Sequence, residues 1–227
     1  MFDGEADSVA DPRREEFPTG AALLHLRSDV PHALDGTFTP WSDRHHAELL
    51  RVPGFRRARR FVLSGAFIGG DAEPGLPATR YLTLYDLEHL GVLTGEGGDA
   101  HDTAHTPLPA ELSGLVTSAR LDCHEIRRWP GVAASRLFPA GDKVLHLCAH
   151  GSARAMERWL HDEAVSELLR ASGVSGLRWF TARGGPHILL CEVIGPMWPL
   201  PPHVPQNLGP AVWSGYRQVY SAQEAPH

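Results

Sequence analysis

Two stretches of this 227-residue chain repeat one another in order. Leu24-His25-Leu26 returns as Leu145-His146-Leu147, and Glu48-Leu49-Leu50-Arg51 returns as Glu167-Leu168-Leu169-Arg170. After each Glu-Leu-Leu-Arg the same gaps lead to a glycine (Gly54, Gly173), an arginine (Arg59, Arg178) and a phenylalanine (Phe61, Phe180). A tryptophan precedes each block, Trp41 and Trp159, with the second spacing one residue longer. Chance explains any one match but not the ordered series, which is the mark of a duplicated unit. Whatever the first copy folds into, the second must fold into as well.

The polar and apolar pattern gives each copy the order strand, helix, strand, strand, then a last helix and strand. Residues 22–27 alternate Leu24 and Leu26 with His25 and Arg27, the period of a half-buried strand. The helix that follows ends near Arg51, where Pro53-Gly54 is a stop signal. Strands are expected at 55–63 and at 81–87, and the Gly- and Pro-rich stretch 64–78 between them has no counterpart in the second copy. Residues 120–128 supply the last strand of the first copy. In the second copy, 144–149, 156–170, 176–182, 187–194 and 212–220 repeat the order, after a linker around 130–142. Helices on one face of a four-stranded antiparallel sheet leave the other face free, and two such sheets can bury those faces together. A barrel-like core within one chain is the expected result.

Composition narrows the partners. A net charge of −6 lacks the clustered Lys and Arg that neutralise phosphates, so nucleic acid is not an expected partner. The three cysteines, Cys123, Cys148 and Cys191, fit neither a disulfide framework nor paired zinc ligands, and a reducing cytoplasm is the expected compartment. Residues 1–20 are acidic and polar, unlike a signal peptide, and are expected to be a mobile extension. No apolar run approaches the ~20 residues that span a bilayer, so no membrane partner is expected. A monomer and a homodimer are both compatible with the sequence.

The run Trp41-Ser42-Asp43-Arg44-His45-His46, followed by Arg51-Val52-Pro53-Gly54-Phe55, resembles the dimeric α/β-barrel superfamily. Within it, the run is similar to EthD-like and related small bacterial proteins that carry a Trp-x-Asp-x-x-His motif ahead of a Pro-Gly-Phe turn. The resemblance implies an α+β chain of two tandem ferredoxin-like units with antiparallel sheets, forming an intrachain α/β barrel. The units would span 21–130 and 143–222, joined by 131–142. The motif occurs only in the first unit, because the place of His46 is taken by Ala164 or Val165 in the second. Pro40, just before Trp41, departs from the pattern, and the helix is expected to start or kink there.

Chemistry then rests on the first copy. His46 can give or take a proton near neutral pH, and Asp43 three residues earlier is placed to orient it. His45, four residues after Trp41, shares its helix face and is the alternative active histidine. His25, Arg27, Tyr81 and Tyr85 are expected to line the inward face of the first sheet, with His146, Cys148, His187 and Cys191 on the matching face of the second. Of the run Arg56-Arg57-Ala58-Arg59-Arg60, most is expected on a solvated face, with one arginine, Arg59, turned inward. His101 and His105, beside Asp99 and Asp102, have helical metal spacing without an evident third ligand.

The expected catalytic set is therefore His46, Asp43, Tyr81 and Tyr85, and the expected substrate-binding set His25, Arg27, Trp41, His45, Arg59 and His146, with neither metal nor cofactor. The resemblance implies acid-base work on a hydrophobic aromatic or polyketide-like small molecule, by cyclisation, dehydration or decarboxylation. Cofactor-free oxygenation of an activated phenol or anthrone is an alternative, as is a non-catalytic metabolite-binding protein.

Overall fold

The computed structural model describes residues 21–67, 79–93, 106–131 and 141–223, so the expectations for 1–20 and for His101 and His105 lie outside the described residues. Eight antiparallel strands close into a barrel in the order β1-β3-β2-β8-β5-β7-β6-β4. The first four are β1 (Ala22–Asp29), β2 (Phe55–Phe67), β3 (Tyr81–Leu87) and β4 (Thr117–Pro130). The second four are β5 (Lys143–Ala149), β6 (Val174–Ala182), β7 (His187–Val193) and β8 (Trp213–Gln223). Within each group the spatial order is fourth, first, third, second, and the groups join where β2 meets β8 and β6 meets β4. The two halves are thus arranged head to tail about a pseudo-twofold axis, and every strand has two neighbours.

One helix covers each half. Helix α1 (Asp35–Leu49) lays Phe38, Ser42, His46 and Leu49 on the outer face of the first sheet. Leu24, Phe55 and Tyr85 meet it from below. Pro40 lies inside α1 and does not start it; the ring removes one helical bond, and the helix begins five residues earlier. Helix α2 is built of Ala153–Trp159 and Val165–Arg170 with a π-turn, Leu160–Ala164, between them. A π-turn takes up an extra residue without ending the helix. That accounts for the spacing from Trp159 to Glu167, one longer than from Trp41 to Glu48. Ser152 caps α2 by accepting from the Ala155 N–H.

The turn after each helix uses its repeated glycine at positive φ, +93° at Gly54 and +86° at Gly173. A Cβ on Gly54 would also clash with Val92, and one on Gly173 with the carbonyl of Ile194. The second helix expected in each copy does not form in the described residues. Between β7 and β8, residues 194–212 carry six prolines and contain only the 3₁₀ turn Gln206–Leu208, because proline can neither donate the helical bond nor clear the preceding carbonyl. No helix among the described residues is long and apolar enough to cross a membrane.

The barrel interior is stratified. Leu23, Phe61, Leu84, Val144, Phe180 and Leu190 form an apolar middle drawn from both halves. Below it lies a buried ionic layer, in which Arg59 donates to Glu192 at 2.8 and 2.9 Å and Arg178 donates to Asp86 at 2.6 Å and to Glu125 at 2.8 Å. Arg59 and Arg178 are repeat equivalents, and so are Asp86 and Glu192 by their places in β3 and β7. Each arginine therefore crosses the barrel to the acid of the other half. Each guanidinium also sits over the repeated phenylalanine two residues on, Phe61 at 5.4 Å and Phe180 at 4.7 Å.

Candidate functional site

A polar cluster is buried between α1 and the outer face of the first sheet. Ser42 and His46 are one helical turn apart, so both point at the sheet, and Ser42 Oγ lies 2.9 Å from His46 Nε2. On the other side of the ring, His46 Nδ1 is 2.6 Å from the Tyr85 hydroxyl. Tyr220, on β8 directly opposite Arg60 of β2, places its ring 5.0 Å from the imidazole. His46 is 3% exposed and Tyr85 is fully buried.

Burial, with Arg60 and His45 nearby, holds the His46 pKa down at about 3, and burial pushes the Tyr85 phenol up. At neutral pH the cluster is a neutral imidazole between two hydroxyls. Either Tyr85 donates to Nδ1 while Nε2–H donates to Ser42, or Ser42 donates to Nε2 while Nδ1–H donates to the Tyr85 oxygen. Both arrangements satisfy the ring, and in both the three residues form one chain for a proton.

Asp43 does not orient His46. Its carboxylate is taken by Arg60, 2.9 Å away across the α1–β2 contact, and Ser42 fills the orienting role because residues four apart share a helix face. Arg60 is 1% exposed and lies over the Phe38 and Tyr81 rings at 5.6 and 5.8 Å. Tyr81 belongs to this other end of the helix, where its hydroxyl donates to Asp35 at 2.9 Å, so no bond joins it to His46. Trp41 and His45 do share a face, with rings stacked 5.1 Å apart, and the Trp41 indole donates to the carbonyls of Thr106 and Pro107.

Strand register divides the expected substrate-binding set. His25 pairs with Leu84 and Leu24 with Tyr85, so His25 and Arg27 point into the barrel while Tyr81 and Tyr85 point outward beneath α1. Alternation along a strand fixes which residues share its faces, but a one-residue change of register exchanges the faces of its neighbour. His146 and Cys148 likewise face inward, opposite Leu190 and Ile188, whereas His187 and Cys191 face outward beneath α2. The repeat equivalents His25 and His146 meet on the pseudo-twofold axis, Nε2 to Nε2 at 3.0 Å. Arg59 is inside the barrel but is held by Glu192 and so is not free for a substrate. Nor is the arginine run mostly solvated, since Arg59 and Arg60 are both buried, on opposite faces of a strand covered from both sides.

The residues that sequence reasoning missed are Ser42, Arg60 and Tyr220. Ser42 was detectable from its helical spacing to His46. Arg60 and Tyr220 become neighbours only through the pairing of β2 with β8. Among the described residues, no group of three or more His, Cys, Asp or Glu could hold a metal ion.

No protein-family model and no curated protein sequence matches the chain. Among solved structures it is similar to an anthrone oxidase-like protein, with a TM-score of 0.55 and 10% identity over 91% of this chain and 94% of that one. It is also similar to a candidate monooxygenase from Lactobacillus acidophilus NCFM (TM-score 0.52, 9% identity, 91% and 97% covered). A third is the encapsulated DyP-type peroxidase from Mycobacterium smegmatis (TM-score 0.50, 11% identity, 94% and 96% covered). At these identities the likeness is one of fold, an α+β barrel that here closes within a single chain.

Proposed function

We propose that this chain is a cofactor-independent oxygenase of an electron-rich phenol or anthrone-type small molecule, with His46 as proton acceptor. The observation that carries the proposal is the buried Ser42–His46–Tyr85 chain beside Arg60. The fold likeness to an anthrone oxidase-like protein and to a candidate monooxygenase favours oxygenation over the cyclisation, dehydration or decarboxylation considered from the sequence. The EthD-like character of the Trp41-Ser42-Asp43-Arg44-His45-His46 run fits a site on α1.

In this reading the neutral imidazole takes the acidic proton of the substrate at Nε2, and the Ser42 and Tyr85 oxygens accept the two N–H bonds of the imidazolium. The resting environment disfavours that cation. A substrate anion beside it raises the histidine pKa, and Arg60, whose guanidinium pairs with Asp43 but keeps an Nε without a hydrogen-bond partner, offers that N–H and its positive charge to the substrate oxygen on which the negative charge gathers. The electron-rich anion then reduces dioxygen, a C–O bond forms, and the hydroperoxide takes back the proton. Loss of water from that carbon leaves a carbonyl, so a CH₂ and one O₂ give a C=O and one H₂O. Tyr220, half-buried, sets its ring beside the His46 imidazole, and half-buried Trp41 stacks on the neighbouring His45, so both present rings that an aromatic substrate can stack on.

Oxygen uptake by the purified protein with anthrone, in chelator and without flavin, should match quinone formation one to one, and His46→Ala should abolish it. Absence of uptake across a panel of anthrones and phenols, or an undiminished rate in His46→Ala, would overturn the proposal.

A further inference from the structure

The barrel has a second polar centre, separate from the cluster beneath α1. Above its apolar middle lies the His25–His146 pair, and one step further toward the rim lies Arg27, on the same face of β1 as His25. The pseudo-twofold axis gives several inward polar groups a twin: His25 with His146, Arg59 with Arg178, Asp86 with Glu192. Arg27 has no such twin, because its equivalent is Cys148.

Arg27 is half-buried, its Nε is buried without a hydrogen-bond partner, and it makes no ion pair among the described residues. The acids Asp86, Glu125 and Glu192 all lie in the ionic layer at the opposite end of the barrel, taken by Arg59, Arg178 and Arg128. Around Arg27 the inward groups are neutral: His25, His146, Cys148, Tyr216 and Ser214. Asp29, two residues on at the rim, is exposed to solvent, accepts from the backbone N–H of Arg80 at 2.7 Å, and forms no ion pair with Arg27. Withdrawing a guanidinium from water without a counter-charge is unfavourable, and an anion restores the balance.

We propose that the His25–His146 end of the barrel is an anion site, with Arg27 binding the carboxylate of a small organic acid. A guanidinium presents a planar fork that matches a carboxylate with two parallel bonds. One cation among neutral donors suits a monoanion and not a phosphate dianion. The neighbouring inward residues Leu82, Leu121 and Ile188 are apolar, which suits an acid with a hydrocarbon body.

Sodium benzoate is the probe and sodium phosphate at equal ionic strength the comparison, read by titration calorimetry and by histidine imidazole ¹⁵N shifts. Benzoate is expected to bind wild type and to move the His25 and His146 resonances, with phosphate weaker. Arg27→Gln should weaken benzoate by about tenfold or more, and Arg27→Lys should keep part of the affinity. Unshifted imidazole resonances at saturating benzoate, undiminished affinity in a folded Arg27→Gln, or tighter phosphate would each overturn the assignment. The imidazole shifts test wild-type protein, so failure of the glutamine variant to fold leaves the proposal falsifiable. None of these readouts depends on oxygenase activity.

Discussion

Acidification should unfold this protein through its buried histidines before its carboxylates protonate. His25, His46 and His146 are 0%, 3% and 2% exposed. Burial, aided by nearby Arg27 or Arg60, depresses all three pKa values, His25 and His46 to about 3. The sign follows from proton counting. Below pH ~6.5 the unfolded chain binds a proton at each site while the folded chain does not, so their contribution is complete above that pH and is lost as pH falls toward the folded values. Each site contributes a slope of about 1.4 kcal/mol per pH unit, and three together about 4. By pH 5.5 the loss relative to pH 8 should be about 4 kcal/mol, a large part of a typical domain's stability. Urea denaturation at half-unit steps from pH 8 to 5 measures this directly, and His46→Gln should lower the slope by about 1.4 kcal/mol per pH unit. A wild-type slope below that single-site value between pH 6 and 5 would refute the reasoning.

Glu192→Gln should cost about 3 kcal/mol in the same assay, because it leaves the fully buried Arg59 with only Asp86, 3.9 Å away. Replacing Arg59 and Glu192 together by methionine should cost less than the single change, since no charge is then stranded. Gly54→Ala should destabilise by about 1–3 kcal/mol from its positive φ and the clash with Val92. In contrast, Gly36→Ala within α1, where a Cβ meets nothing within 4 Å, should stabilise by about 0.5–1 kcal/mol. Thermal melts of the two glycine variants check both.

The duplication was legible because the repeated residues mark contacts that both halves need. Gly54 and Gly173 make the same turn, Arg59 and Arg178 the same cross-barrel ion pair, and His25 and His146 meet each other. The strands were legible too, each within a few residues of its observed ends. What a one-dimensional pattern lacks is register. Tyr85 was expected beside His25 because both are polar positions on alternating strands, yet the pairing sets Leu24 opposite Tyr85 and moves the tyrosine under α1. The same lack hid Arg60 and Tyr220, which are neighbours only across the seam between the halves. The missing helix before β8 was readable from its prolines, but the symmetry of the repeat argued the other way. The spare residue between Trp159 and Glu167 was visible, though nothing in the sequence distinguished a π-turn from a shifted helix start.

That Arg27 faces Cys148 at the His25–His146 end has a consequence for how such a barrel can be assembled. Two identical subunits would have to carry the same residue at both related places, so an arginine at position 27 would recur where Cys148 stands. Two uncompensated guanidiniums would then confront each other across the axis, and repulsion would oppose assembly. Joining the halves covalently removes that requirement. It lets one wall of the barrel carry charge while its twin carries a thiol, a division of labour that no homodimer can encode.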